Sequence, residues 1–214
     1  MQKRRTGKII VFLLGLAPSF WLGYDALSDL LRGTMRLTAN PIEFITHYTG
    51  DWTLRLIIIG LFITPLRKTF PRLDIVRYRR MIGLFAFFYG VLHFLTWIWL
   101  DKFFDPQEMW ADIIKRRYIT AGMAAFLMLI PLAITSTKGW IRRLGKRWQL
   151  LHRLVYFAAI AGVIHYYWLV KSDIRLPVLY GLFVVLVLGW RVRFWMRRPA
   201  SASRIRNSPE AVAR

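Results

Sequence analysis

Six stretches of the chain are apolar for long enough to cross a bilayer, and polar, mostly basic runs divide them. They lie at roughly 9–27, 52–66, 81–100, 118–135, 151–170 and 177–195. A hydrocarbon core ~30 Å thick needs about 20 consecutive apolar residues per helix. The pattern therefore predicts an all-α fold, a polytopic membrane bundle of six transmembrane helices. The 52–66 segment is short, contains Pro65 and begins near Arg55, whose guanidinium is expected to snorkel to the interface from a helix end. The first segment follows Lys3, Arg4, Arg5 and Lys8 as a signal peptide's charged start would. No small-residue cleavage site comes after it, so it reads as a retained span.

Two of the polar connections carry helix-start signals, Asn40-Pro41-x-Glu43 and Asp105-Pro106-x-Glu108. Each offers a capping residue, a proline in the first turn and a glutamate soon after. Short interfacial helices at about 41–49 and 106–116 follow from them. No stretch between spans is long enough for another folded domain. Residues 1–198 thus read as one six-helix transmembrane domain, and 199–214, rich in Pro, Ala, Ser and Arg, as a disordered cytoplasmic tail.

Composition and charge sharpen this picture. The chain is 56% hydrophobic and 16% aromatic, which excludes a disordered protein and an ordinary soluble domain. Of its 32 Lys and Arg, 23 fall in 1–8, 67–80, 136–153 and 191–214, whereas nine of the 11 acids fall outside those stretches. Basic loops stay on the cytoplasmic side, so both termini are expected there. An isoelectric point near 11.3 would suit nucleic acid, but topology and anionic lipid headgroups account for the cations; no nucleic-acid partner is expected. Trp97, Trp99, Trp110, Trp140, Trp148, Trp168, Trp190 and Trp195 mostly fall near span ends, as an interfacial belt would.

Candidate chemistry lies in the histidines. The chain has four, His47, His93, His152 and His165. Counting from Met81 along an outward-running third span, His93 lies ~18 Å along; counting from Leu151, His165 lies ~21 Å along the fifth. Imidazoles at matched depth on two helices suit a planar ligand gripped from both sides, and bis-imidazole haem iron is the obvious candidate. Gly90 and Gly162, each three residues before one of these histidines, could let a porphyrin near the backbone, with Gly83 and Gly122 adding room. For the glycines taken alone, close helix packing is the better reading. His152 sits at the inner boundary, as an inner haem ligand, as part of a flavin or quinone site, or as a merely interfacial side chain. His47 lies in the outer interfacial region. Its ordinary reading is an exposed side chain, with a propionate or partner contact as the alternative. Arg77, Arg79, Arg80, Arg142, Arg143, Lys146 and Arg147 serve topology, and some could also hold a flavin phosphate.

Several chemistries are missing. With no cysteine, disulfides, iron–sulfur clusters, thiol catalysis and covalent haem attachment are excluded. There is no G-x-G-x-x-G and no P-loop, and no Ser/His/Asp arrangement. Acids inside the spans, common as proton relays in transporters, are expected to be absent.

The run Leu144-Gly145-Lys146-x-Trp148-Gln149-x-Leu151-His152-x-x-Val155-Tyr156, followed by Ile164-His165-Tyr166, closely resembles the MsrQ (YedZ) family, within the ferric-reductase-like transmembrane superfamily. Supporting stretches are His47-x-Thr49-Gly50, Ile63-Thr64-Pro65-Leu66, Arg77-x-Arg79-Arg80-x-x-Gly83-Leu84, Leu92-His93 and Thr135-Ser136-Thr137. The resemblance covers about 47–171. It implies a multi-pass protein of the bacterial inner membrane: a b-type cytochrome that passes electrons outward to a periplasmic molybdenum-cofactor enzyme, MsrP, which reduces protein methionine sulfoxide. It further implies the quinone pool as donor, with a cytosolic flavin reductase as the other choice, and flavin mononucleotide (FMN) beside haem b. The family's intramembrane histidines correspond to His93, His152 and His165, with His93 and His165 as the metal ligands. Unlike NADPH-oxidase and ferric-reductase cousins, the chain has one histidine rather than two on the third span and no cytosolic flavin–NADPH domain. A non-redox membrane anchor for the same enzyme and a stand-alone transmembrane ferric reductase are the alternative functions.

Overall fold

The computed structural model describes residues 2–72 and 74–196; the expected tail at 199–214 lies outside them. Nine α-helices occupy the described residues: α1 (Gln2–Arg32), α2 (Pro41–Thr69), α3 (Arg79–Leu95), α4 (Pro106–Lys115), α5 (Arg117–Ile134), α6 (Lys138–Leu144), α7 (Lys146–Leu151), α8 (Leu154–Leu169) and α9 (Arg175–Met196). A 3-10 turn (Val76–Tyr78) precedes α3, and a π-helical turn (Thr96–Asp101) extends it. Six helical segments are long and apolar enough to cross a membrane, one for each expected span.

The helix starts follow their capping signals. Asn40 accepts from the Glu43 amide at 3.3 Å and donates back to the Glu43 carboxylate at 2.9 Å. Asp105 accepts from the amides of Gln107 and Glu108 at 2.8 and 3.2 Å, and α4 matches the interfacial helix expected there. The helix begun at Pro41 departs from expectation, because it runs unbroken to Thr69 rather than stopping near 49. Asp51 and Arg55 are four residues apart on it and pair at 3.2 Å, while Arg55 also donates to the Tyr180 hydroxyl at 2.7 Å. The guanidinium is therefore tied to α9 instead of snorkelling free. Two short helices, α6 and α7, fill the basic connection 136–153, where no helix was foreseen.

α2 packs along α3 and α5 along α8, with α9 against α2 and α8 and α1 against α3. The core between them joins Leu54, Ile58 and Leu61 of α2 to Phe85 and Tyr89 of α3, Ala158 and Ala159 of α8, and Val184 and Val187 of α9. Outward-facing Phe20, Trp21 and Leu30 stay highly exposed, as side chains meant for acyl chains do.

Of the three prolines inside spans, Pro18, Pro65 and Pro131, the first two leave gaps that polar side chains from other helices mend. In α1, next to Pro18, the Tyr89 hydroxyl sits between the Ser19 amide (3.1 Å) and the Gly15 carbonyl (2.8 Å), replacing one rung of the helix ladder. In α2, Pro65 has no N–H for the Leu61 carbonyl. Arg191 of α9 supplies that donor at 2.9 Å and also donates to the Tyr156 hydroxyl at 2.5 Å. Without water in the bilayer core, an orphaned carbonyl would cost several kcal/mol. At the other end of the bundle Lys102 meets Asp112 at 2.7 Å, and Arg116 meets Asp112 at 3.2 Å, pinning α4. That Asp112 contact holds the Lys102 ammonium above the usual lysine range.

Candidate functional site: two imidazoles across a membrane-depth cavity

His93, in the last turn of α3, and His165, in the last turns of α8, approach each other toward the α4 end of the bundle. Their ring centroids are 5.9 Å apart and the ring planes lie 80° apart. Each ring is held by a backbone carbonyl on a different helix. His93 Nδ1 lies 2.9 Å from the Thr46 oxygen of α2, and His165 Nδ1 lies 2.7 Å from the Tyr118 oxygen of α5. A carbonyl only accepts, so Nδ1 is the protonated nitrogen in both rings and Nε2 keeps its lone pair. This is how metal-ligating imidazoles are oriented from behind.

The same local device appears on both supporting helices. Thr46 is followed four residues later by Gly50, and Tyr118 by Gly122. A helical carbonyl points toward the residue four ahead, so a side chain there would stand in the imidazole's way. A Cβ at Gly50 would come within 3.0 Å of the His93 ring, and one at Gly122 within 2.6 Å of His165 Nδ1. Of the glycines singled out from sequence, Gly122 is thus set against a ring, and the other three behave differently. Gly90 and Gly162 line the cavity, but a Cβ at either meets only ordinary contacts of 3.6 and 3.4 Å, and Gly83 has nothing within 4 Å.

Around the two rings is a cavity of about 480 Å3, within the range of cofactor sites. Its deep wall is apolar, with Leu54, Ile57, Leu129 and Ala158, and Phe94 and Phe126 stack at 4.6 Å along one side. Its rim, at the end of the bundle that carries α4, is polar, with Asn40, Glu43, His47, Asp101 and Arg116. His47 lies there 4.0 Å from Glu43 with its side chain 41% exposed. Asp51 also lines the cavity, which corrects the expectation that acids are absent from the spans. Its pairing with Arg55 is what makes a carboxylate tolerable at that level.

His152 is elsewhere. It occupies the turn between α7 and α8, stacks on Trp148 at 3.9 Å and bonds through Nδ1 to the Trp148 carbonyl at 3.1 Å. Its Nε2 is closed to solvent and has no partner among the described residues. The structure thus brings together two of the three histidines named from sequence, and leaves the third outside the cavity. Among the described residues no group of three or more His, Asp or Glu could hold a metal ion. A metal between His93 and His165 must bring its other ligands with it, as an iron macrocycle does.

Comparison with known proteins agrees with this architecture. Residues 49–163 match the family described as ferric reductase like transmembrane component. The chain is 46% identical over 209 residues to the protein-methionine-sulfoxide reductase heme-binding subunit MsrQ of Bordetella parapertussis, covering 94% of this chain and 97% of that one. It is 50% identical over 191 residues to the MsrQ protein of Herminiimonas arsenicoxydans, covering 88% and 84%. Against the MsrQ protein of Xanthomonas campestris it is 45% identical over 209 residues, covering 97% and 95%. No solved structure matches the chain. With six membrane-length helices and relatives aligned over nearly its full length, this multi-pass protein of the bacterial inner membrane belongs to the MsrQ family.

Proposed function

We propose that the chain is a b-type cytochrome subunit that carries electrons across the membrane to a methionine sulfoxide reductase. The observation that supports this best is the pair of imidazoles 5.9 Å apart, each presenting Nε2 because a carbonyl holds Nδ1. Two metal–nitrogen bonds of about 2 Å each fit in that space. With no cysteine in the chain, such a haem is held by coordination alone. Bound there, the iron porphyrin supplies a one-electron relay. The protein's part is to fix both rings, to wall the cavity with apolar side chains, and to keep the site out of bulk water.

Direction follows from charge. The basic connections that hold α6 and α7 belong on the cytoplasmic side by the positive-inside rule, so the α4 end faces the periplasm. The acceptor is then a periplasmic molybdenum-cofactor enzyme of the MsrP kind. The donor, quinol or a flavin, meets the opposite end, where His152 Nε2 and Arg191 Nε are both without a partner. FMN, which the resemblance also implies, belongs to that end.

The absorbance spectrum of the purified protein is the first test. Reduced α and Soret bands of a low-spin bis-imidazole haem are expected, and their absence would overturn the proposal. Because the ring planes are nearly perpendicular, the oxidised protein should give a strongly anisotropic low-spin electron paramagnetic resonance signal rather than a rhombic one. Quinol-driven reduction of the partner enzyme separates the remaining functions. Flux that survives His165→Ala would favour a non-redox anchor, and reduction of chelated iron without the partner would favour a ferric reductase.

A further inference from the structure

The cavity changes character along its length, and this inference, which rests on the haem reading above, concerns its polar rim. An iron porphyrin carries two carboxylates on one edge. Carboxylates are costly in hydrocarbon, so a porphyrin held by His93 and His165 turns that edge toward the rim rather than toward Leu54 and Leu129. There the carboxylates need donors, and most rim groups are occupied or carry the wrong sign. Asn40 gives its amide to Glu43 at 2.9 Å, His47 faces Glu43, and Glu43 and Asp101 would repel an anion.

One cation is left over among the described residues of the rim. Arg116 spends Nε on Asp112 at 3.2 Å and Nη1 on the Tyr118 hydroxyl at 3.1 Å, and Nη2 makes neither bond. Tyr118 is also the residue whose carbonyl holds His165, so one residue joins the rim cation to the imidazole.

We infer that Arg116 binds a porphyrin carboxylate and thereby fixes which edge of the cofactor faces the α4 end. The full-length protein, stripped of haem in detergent, is titrated with iron protoporphyrin IX and with its dimethyl ester while the Soret band is followed. Wild type should prefer the free acid by about tenfold or more, the scale of a charge-assisted hydrogen bond. Arg116→Gln should shrink that ratio severalfold, with the low-spin spectrum unchanged because both imidazoles remain. Equal affinity of wild type for acid and ester would overturn the inference without recourse to any variant, and so would an Arg116→Gln protein that binds haem as tightly as wild type and keeps the full ratio. A variant that merely folds badly loses both porphyrins alike and leaves the ratio as it was. Wild type that takes up neither porphyrin would remove the haem reading itself.

Discussion

The two ends of the bundle each place ionisable side chains at membrane depth, and they do so for different reasons. Toward the α4 end, His93 and His165 have their Nδ1 atoms committed to carbonyls and their Nε2 atoms left over, facing across a cavity. Toward the α6–α7 end, Arg191 is spent on the carbonyl that Pro65 leaves unpaired and on the Tyr156 hydroxyl. His152 there leans on Trp148 with no second imidazole opposite. A polar residue in a span is thus a functional signal only once its hydrogen bonds have been followed. Where they close on the protein's own backbone breaks, they belong to the fold; where they stop at a cavity, they belong to a ligand.

The largest effect that comparison predicts is loss of haem. His93→Ala and His165→Ala should each abolish the bis-imidazole spectrum of purified protein, since one remaining ring cannot make a six-coordinate low-spin site. His152→Ala should leave that spectrum in place, because no part of His152 lines the cavity. A loss of the His93–His165 signal in this variant would join the two ends and break the contrast.

A smaller effect separates the glycines. Gly122→Ala puts a methyl group 2.6 Å from His165 Nδ1, so either the ring or the helix must move. Overpacking of this kind costs about 1–3 kcal/mol, which in haem affinity is roughly a 5- to 150-fold loss. Gly162→Ala meets Leu54 at 3.4 Å, an ordinary contact, and should change affinity less than about threefold by the same conversion. Titration of stripped protein with haem measures both, and equal losses would show that glycine serves helix packing alone.

How much of this the sequence displayed depended on whether the signal was carried by side chains. Six spans were legible because a bilayer demands a run of apolar residues, and the α4 start because Asp105 and Pro106 form a cap. The unbroken α2 was hidden because Asp51 and Arg55 read as a polar interruption, when their spacing of four lets them neutralise each other within one helix. Helices α6 and α7 were hidden because they are short and their basic residues show no apolar period. The pairing of His93 with His165 could be foreseen from depth. The carbonyls of Thr46 and Tyr118 could not, since a backbone acceptor leaves no mark on residue identity. Their only trace is a glycine four residues later, Gly50 and Gly122; the sequence pointed to Gly122 only as extra room and did not point to Gly50.

The least expected effect tests the other side of the comparison, that Arg191 serves the fold. If its guanidinium stands in for the N–H missing at residue 65, the cost of removing it depends on whether that N–H is missing. Arg191→Met in the native background strips the Leu61 carbonyl of its donor and should destabilise the protein in detergent by about 1–3 kcal/mol, the penalty of an unsatisfied buried group. In a Pro65→Ala background the helix supplies its own donor to Leu61, and the same substitution should cost less by about 0.5–1.5 kcal/mol, one hydrogen bond's worth. The Tyr156 hydroxyl loses its partner in both backgrounds and drops out of the difference, so the coupling isolates the Leu61 bond. A cycle that closes at zero would free Arg191 from the proline break. Its buried Nε and the unpartnered Nε2 of His152 would then belong to the donor alone, and the contrast between the two ends would fail.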